Sequence, residues 1–318
     1  MIEILWTDAL IFLLVAAITG FALYARSREH LRAPWRQVIR KPLGMSALVI
    51  LMVYVLIGLL DSLHFRPELE QQNGGNTEVQ YAATIESVLD LMLDDLRSGT
   101  EKTYSAPFAL SQYNKETIED EQGNKLREYP RLLHAGAHLQ DPSMHAQDIT
   151  QRILFTLIGG LMVWGLSMAF IVLLVVLKTG DSLQKVLQTM WRGQRDLPWR
   201  SLFATLGFVV LVVLFLMNTA SVYHVLGTDK VGEDVLYQAI KSIRTGLVIG
   251  TLTTLIMLPF AVLLGIMAGY MKGWVDDVIQ YIYTTLNSIP GVLLIAAAVL
   301  MMLVYMETHP DLFGTGVE

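Results

Sequence analysis

The sequence predicts an all-α polytopic membrane protein with about six transmembrane helices and a mostly helical insertion outside the bilayer. Three observations carry this. Of 318 residues, 53% are apolar and 16% charged, whereas an average soluble domain has about 25% charged residues; the mean hydropathy is +0.47. Uncharged apolar runs of 25 to 28 residues recur along the chain. Lys and Arg gather in the short loops of one side. The charge deficit argues against a soluble enzyme or a disordered chain. A net charge of -6 gives no field that would attract a nucleic acid. Without cysteine, disulfides, thiolate metal sites and cysteine catalysis are excluded.

A spanning helix needs about 20 mostly apolar residues. Six stretches meet this: 4–24, 43–60, 153–177, 201–221, 245–269 and 279–306. The first is the weakest, because Asp8 lies near its start. A cleaved signal peptide wants basic residues before the apolar run. Here the leader is Met1-Ile2-Glu3, and Arg26, Arg28, Arg32, Arg36, Arg40 and Lys41 come after it. That is the pattern of a retained helix with its amino terminus outside. The 178–200 loop is also basic, with Lys178, Lys185, Arg192, Arg195 and Arg200 against Asp181 and Asp196. The 61–150 stretch has the opposite balance, 16 acids against seven Lys/Arg. The two basic loops are therefore expected in the cytoplasm, with 61–152, 222–244 and the tail after Met306 outside.

The 61–152 segment is too long for a connector and reads as a small extracytoplasmic domain. Residues 83–98 have loosely helical spacing, Gln71 to Asn76 reads as a loop, and Asn114 to Glu128 is polar and acidic. His134 and His138 are four apart, with Asp141 and His145 following. These are weak candidates for a divalent metal; surface histidines in a polar loop are the simpler reading, and Gly136 and Pro142 argue against one continuous helix through them.

Two spans are introduced by the same tripeptide, Pro34-Trp35-Arg36 and Pro198-Trp199-Arg200. An interfacial Trp and a wet-side Arg account for both as membrane anchors, so internal duplication is not required.

The most informative stretch runs from His224 through Gly227-Thr228-Asp229 and Gly232-Glu233-Asp234 to Leu236. It is a polar turn leading into a helix. Gly227 and Gly232 permit unusual backbone angles, Thr228 or Asp229 can cap a turn, and Asp234 suits the first turn of the following helix. An amphipathic helix over about 233–244, ending in Lys241 and Arg244, is expected along the outer face before 245–269 enters the bilayer. Gly265 and Gly269 are four apart, the spacing of close helix packing. Pro259 and Pro290 fall inside spans, where each removes a backbone hydrogen bond and is a candidate bend or gate.

The ordered set of His224, Gly227-Thr228-Asp229, Gly232 and Asp234, then Gly265 to Tyr270, Gly273-Trp274 with Asp276, and Ile289-Pro290-Gly291 resembles the membrane subunits of oligopeptide-, dipeptide- and nickel-type ABC importers, the second of the two paired permeases in particular. The match covers about 224–306 and fades back through 201–221. Glu233 stands where the family usually has Arg, and Val225 where Pro is common. The resemblance implies a partial type I importer permease fold, divided as 1–60 (two helices and a basic loop), 61–152 (outer domain), 153–221 (helices 3 and 4) and 222–318 (permease-like core, incomplete at its carboxy terminus). Family members continue with three more spans and an E-A-A…G loop that docks the ATPase. It further implies a subunit that catalyses no bond chemistry and binds no cofactor of its own. Partners would be a second permease subunit, two ATP-binding subunits carrying the ATP, an extracytoplasmic solute-binding protein and the lipid bilayer, in the bacterial inner membrane. The chain has no G-x-x-x-x-G-K-[ST] pattern. Two other classes fit less of the sequence. An ion-coupled transporter would want ionisable groups in mid-membrane, and a sensor using 61–152 would leave the downstream motifs unexplained.

Overall fold

A computed structural model describes Ile2–Glu3 and residues 5–67, 82–119 and 125–310; the Gln71 to Asn76 loop and part of the acidic 114–128 stretch lie outside these. The described residues are overwhelmingly helical. Six helices are long and apolar enough to cross a bilayer, so the chain is an all-α polytopic membrane protein. It divides into two compact units, 1–249 and 250–318.

In the first unit, strand β1 (Ile2–Glu3) leads into helix α1 (Trp6–Arg26), an amphipathic α2 (Glu29–Arg40) and α3 (Pro42–Asp61). The helix α3 starts on Pro42, whose missing N–H costs nothing at that position. The insertion follows. Strands β2 (His64–Phe65) and β3 (Glu86–Ser87) join β1 in a small antiparallel sheet, pairing Glu3 with His64 and His64 with Ser87. Two one-turn helices, α4 (Val88–Met92) and α5 (Asp94–Ser98), and a hairpin of β4 (Glu116–Glu119) and β5 (Lys125–Glu128) complete its regular structure. Turns and bridges make up most of the rest, which corrects the expectation of a mostly helical insertion. Residues 83–98 are helical only in part, because Ser87 caps α4 through Asp90 and Leu93 ends it.

Helix α6 (His145–Thr179) starts at His145 itself and ends on Gly180 with φ of 69°, the left-handed angle that glycine accepts readily. The short α7 (Leu183–Trp191) folds back, and α8 (Trp199–Ala220) returns along α6. Glycines set the contact distances here. A Cβ on Gly207 would stand 2.7 Å from the Trp164 Nε1, and one on Gly160 2.5 Å from Leu211. Trp164 cannot simply swing away, because its indole N–H donates to the Phe203 carbonyl at 2.9 Å. Polar seams fix the helices in register. Asn218 donates to the Thr156 hydroxyl and the Arg152 carbonyl, and Arg152 donates back to the Asn218 carbonyl. In a bilayer such bonds replace those that water would make. Two apolar clusters result. One joins Val172, Val186, Met190 and Phe203 at the basic end. The other joins Leu96, Ala220, Val225 and Leu236, where the insertion meets the helices.

Helix α9 (Val235–Met271) is continuous and passes through Pro259 without a break. A separate surface helix over 233–244 is therefore not formed. A helix end there would leave about four carbonyls without partners beside a bilayer, and continuing the helix satisfies them. The second unit, taken by itself, contains the later part of α9, then α10 (Trp274–Ser288) and α11 (Gly291–Thr308). The expected sixth span over 279–306 is corrected to Gly291–Thr308. Pro290 does more than bend the chain: Ile289 leaves helical geometry, with φ of -84° and ψ of 127°, as a residue before proline does. The 15-residue α10 is amphipathic and carries Asp276 and Asp277 in its first turn, where they suit the helix dipole.

The glycine contacts give a direct test. Gly207→Ala should lower stability in detergent by about 1–3 kcal/mol through overpacking. Gly159→Ala, which meets nothing within 4 Å, should be neutral or stabilise by up to about 1 kcal/mol through helix propensity. Thermal unfolding of the two variants beside the parent chain checks this.

Candidate functional site

The sequence motif of 224–236 forms one built structure on the insertion. After α8 the chain turns at Ser221, and Tyr223 is buried with its hydroxyl donating to Asp148 at 2.7 Å. Burial and the neighbouring carboxylate both push the Tyr223 phenol above its ordinary range. His224 follows, 5% exposed. Its Nδ1 lies 2.6 Å from the Asp234 carboxylate. A carboxylate only accepts, so this pair places a proton on Nδ1. The Nε2 on the other side of the ring faces the Glu101 carboxylate at 3.6 Å. The same Glu101 accepts the backbone N–H groups of Leu133, His134 and Ala135. A buried histidine thus stands between one acid of the insertion and one acid at the head of α9.

The two glycines allow this approach. Gly227 has φ of 77° and Gly232 φ of 83°. A Cβ on Gly227 would lie 2.3 Å from the Ser105 carbonyl oxygen, and one on Gly232 1.7 Å from that of Glu101. No side chain fits in either space. Between them, Thr228 donates its hydroxyl to the Thr103 carbonyl at 2.8 Å, and its backbone pairs with Ser105. The Glu101 N–H donates to the Gly232 carbonyl at 2.9 Å. Asp229 closes the turn on itself, accepting from the N–H groups of Val231 and Glu233 and from Gln238. The Gln238 bond, with those backbone bonds, holds the Asp229 carboxyl below its ordinary value. Asp234 sits just ahead of α9 and accepts from the N–H groups of Leu236 and Tyr237, as an N-cap does.

A second cluster lies at the same end. Lys241 bridges Asp61 and Asp90, each at 2.8 Å. Ser87 donates to Asp61 and Tyr237 to Asp90, both at 2.8 Å. Asp8 is fully buried, 2.8 Å from His64 Nδ1 and paired with Arg244. Burial by itself raises the Asp90 pKa, but bonds from Lys241, Ser87 and Tyr237 outweigh it and bring the group to about 2. Lys241 and Arg244 therefore do not complement a helix end, as the sequence suggested. They lie in the second and third turns of α9 and neutralise acids of α1, α3 and α4. Acids and bases flanking apolar spans at matching heights were the available signal for this cluster. Glu101 and Ser105 carried no local signal for their place beside the turn, since His224 and Thr228 each lie 123 residues further along the chain.

The singled-out histidines reach this structure only at its edge, through Tyr223 and Glu101. His138 shares Asp148 with Tyr223 and Arg152, and His145 packs on the Tyr223 ring. His134 contributes its backbone, and its side chain is exposed. Among the described residues no group of three or more such side chains is disposed to hold a metal ion. Gly265, Gly269, Pro259 and Pro290 belong to the second unit; Gly265 and Gly269 have open space where a Cβ would stand. Chemically, the 222–238 structure is a clasp, in which each carboxylate of Asp229, Glu233 and Asp234 accepts from a donor.

Two outcomes follow. Gly232→Ala should strain the backbone and displace residue 101, costing about 1–3 kcal/mol; faster limited proteolysis within the insertion would register it. Asp90 binds its proton more weakly folded than unfolded, so its contribution is complete above the ordinary value of 3.8 and is lost as pH falls from about 4 to 2. On the order of 2 kcal/mol is at stake. Thermal midpoints between pH 6 and 2 should fall less steeply in Asp90→Asn than in the parent.

No family model matches the chain, and no solved structure matches it. Curated relatives match over part of its length. It is 35% identical over 79 residues, 25% of this chain, to the glutathione transport system permease protein GsiD of Pectobacterium atrosepticum. It is 30% identical over 81 residues, 26% of this chain, to the oligopeptide transport system permease protein OppC of Mycobacterium tuberculosis and of Mycobacterium bovis. The chain spans 26% and 28% of the length of these relatives. All of them are named as permease components of transport systems, so what this chain resembles over that quarter of its length is a transport permease.

Proposed function

We propose that the chain is a membrane-spanning permease subunit of an ABC importer, passing a peptide or similar small solute received from an extracytoplasmic binding protein. It would pair with a second permease subunit and take its drive from two ATP-binding subunits, with no bond chemistry or cofactor of its own. The observation that carries this is the ordered motif from His224 to Asp234, held as one built turn at the head of a long apolar helix, in a chain whose partial relatives are named as transport system permease proteins. The relatives named for glutathione and for oligopeptides favour a peptide-like solute.

The burial of His224, Thr228 and Asp234 refines the role of the turn. Between the two roles open to it, contact with a binding protein or closure of the outer face, burial favours closure. A binding protein would meet the exposed rim, Leu226, Lys230 and Val231. The basic 25–42 and 178–200 loops support an orientation with the turn and the amino terminus outside.

Two measurements test this. In cells, Val231→Cys should react with an impermeant maleimide, and Trp35→Cys should react only after permeabilisation; the chain supplies no cysteine background. The reverse labelling overturns the orientation. In membrane vesicles, uptake of a labelled peptide should require the chain, ATP and a co-purifying ATP-binding subunit. Uptake driven by an ion gradient without ATP would favour a secondary transporter instead.

A further inference from the structure

The repeated Pro-Trp-Arg tripeptide is not used by the transport reading, yet the fold brings its two copies to one end of the first unit. Ser201 Oγ donates to the Pro42 carbonyl at 2.8 Å, and Ser46 and Thr205 extend the seam between α3 and α8. Arg36 and Arg40 reach Asp196, two residues before the second copy. Between these elements lies a hollow of about 400 Å³, with Arg40, Arg195, Asp196 and Arg200 among its walls and Met190 and Trp199 as apolar lining.

Three features of this hollow favour an anion. Its charged walls are three guanidinium groups against one carboxylate; Arg195 also pairs with Asp181 at 3.3 Å, outside the lining, which leaves a surplus of one positive charge over the paired acids. That carboxylate is 70% exposed and its partners Arg36 and Arg40 about half exposed, so their pairing is weak and exchangeable. Arg200 makes no ion pair among the described residues and lies over the Trp191 ring at 5.8 Å. The donors are also in surplus. The Trp199 indole N–H is buried without a partner. Both α3 and α8 begin here without a side-chain cap, which leaves first-turn N–H groups and the positive dipole ends facing this region.

The surroundings favour an amphiphile over a soluble anion. Beside the hollow, α2 is amphipathic with no buried residue, and Trp35 and Val38 are exposed on it. Leu43, at the start of α3, is 86% exposed. Such a helix lies in the interface, with its apolar face in the acyl boundary. A basic pocket at that depth, walled partly by apolar groups, matches a phosphate with acyl chains attached. We propose that this hollow binds the phosphate of an acidic phospholipid headgroup, held by Arg40, Arg195 and Arg200. The site does not depend on the transport reading.

The test uses the whole chain in neutral detergent, titrated with phosphatidylglycerol or phosphatidylcholine and read by native mass spectrometry. Phosphatidylglycerol should be retained at least about tenfold more tightly. The triple variant R40Q/R195Q/R200Q should lose that preference. R26Q/R28Q/R32Q, which removes the same charge from outside the hollow, should keep it. Equal loss in both would mean diffuse attraction and would overturn the site. Asp196→Asn guards against misfolding of the triple variant: removing the one acid should tighten retention about threefold, and unchanged or weaker retention counts against the proposal. If millimolar inorganic phosphate displaces the lipid from the parent chain, the hollow is a soluble-phosphate site and the lipid assignment fails.

Discussion

The insertion end of the first unit depends on buried carboxylates finding donors. Glu101, Asp234, Asp61, Asp90 and Asp8 are all at most 6% exposed. Each would be costly there without a partner, and breaking such a pair costs more than forming it gains. The structure meets this with backbone N–H groups, one lysine, one arginine and two histidines. The partners come from α1, α3, the insertion and the head of α9. The cationic partners come from far along the chain: Lys241 is 180 residues from Asp61 and 151 from Asp90, and Arg244 is 236 from Asp8. The acids therefore act as position markers, since each is satisfied in one arrangement only.

The two ends of this unit contrast. At the insertion end, charge is paired and covered, and the glycines at 227 and 232 bring backbone against backbone with no space for a side chain. At the basic end, arginines are exposed in part and outnumber their acids. A closed, neutralised end suits a lid over a pathway, and an open cationic end suits a surface rich in anions. The apolar body between them is held by small residues and short polar seams, as expected where neighbouring lipid supplies no hydrophobic drive for helix association.

Much of the fold was legible. Three of the six apolar runs became helices near their expected bounds and two became parts of longer helices, α6 and α9, because an uncharged run of about 20 residues has few other places to go. The sixth was misplaced by half, since hydropathy does not register that Ile289 must leave helical geometry ahead of Pro290. The 233–244 segment was read as a separate helix because its charges break the apolar pattern. In the fold those charges are neutralised by Asp61, Asp90 and Asp8, and the helix simply continues. The insertion was read as helical from 83–98, where capping at Ser87 and a stop at Leu93 allow only single turns.

By itself, the sequence determined the solvent of this protein, the number of its long apolar helices and the place of its distinctive turn. These follow from composition, run length and local residue order, which act over a few turns of chain. Only the tertiary structure decided what the turn packs against. His224 and Asp234 are ten residues apart and their pairing is almost local, but Glu101, Ser105 and Thr103 come from the insertion, more than 100 residues earlier. The chain around the two Pro-Trp-Arg segments likewise comes together only after α3 and α8 have packed, through Arg36 and Asp196. Contacts of that range depend on which buried polar groups can satisfy one another once the helices are side by side, and linear spacing does not carry that information.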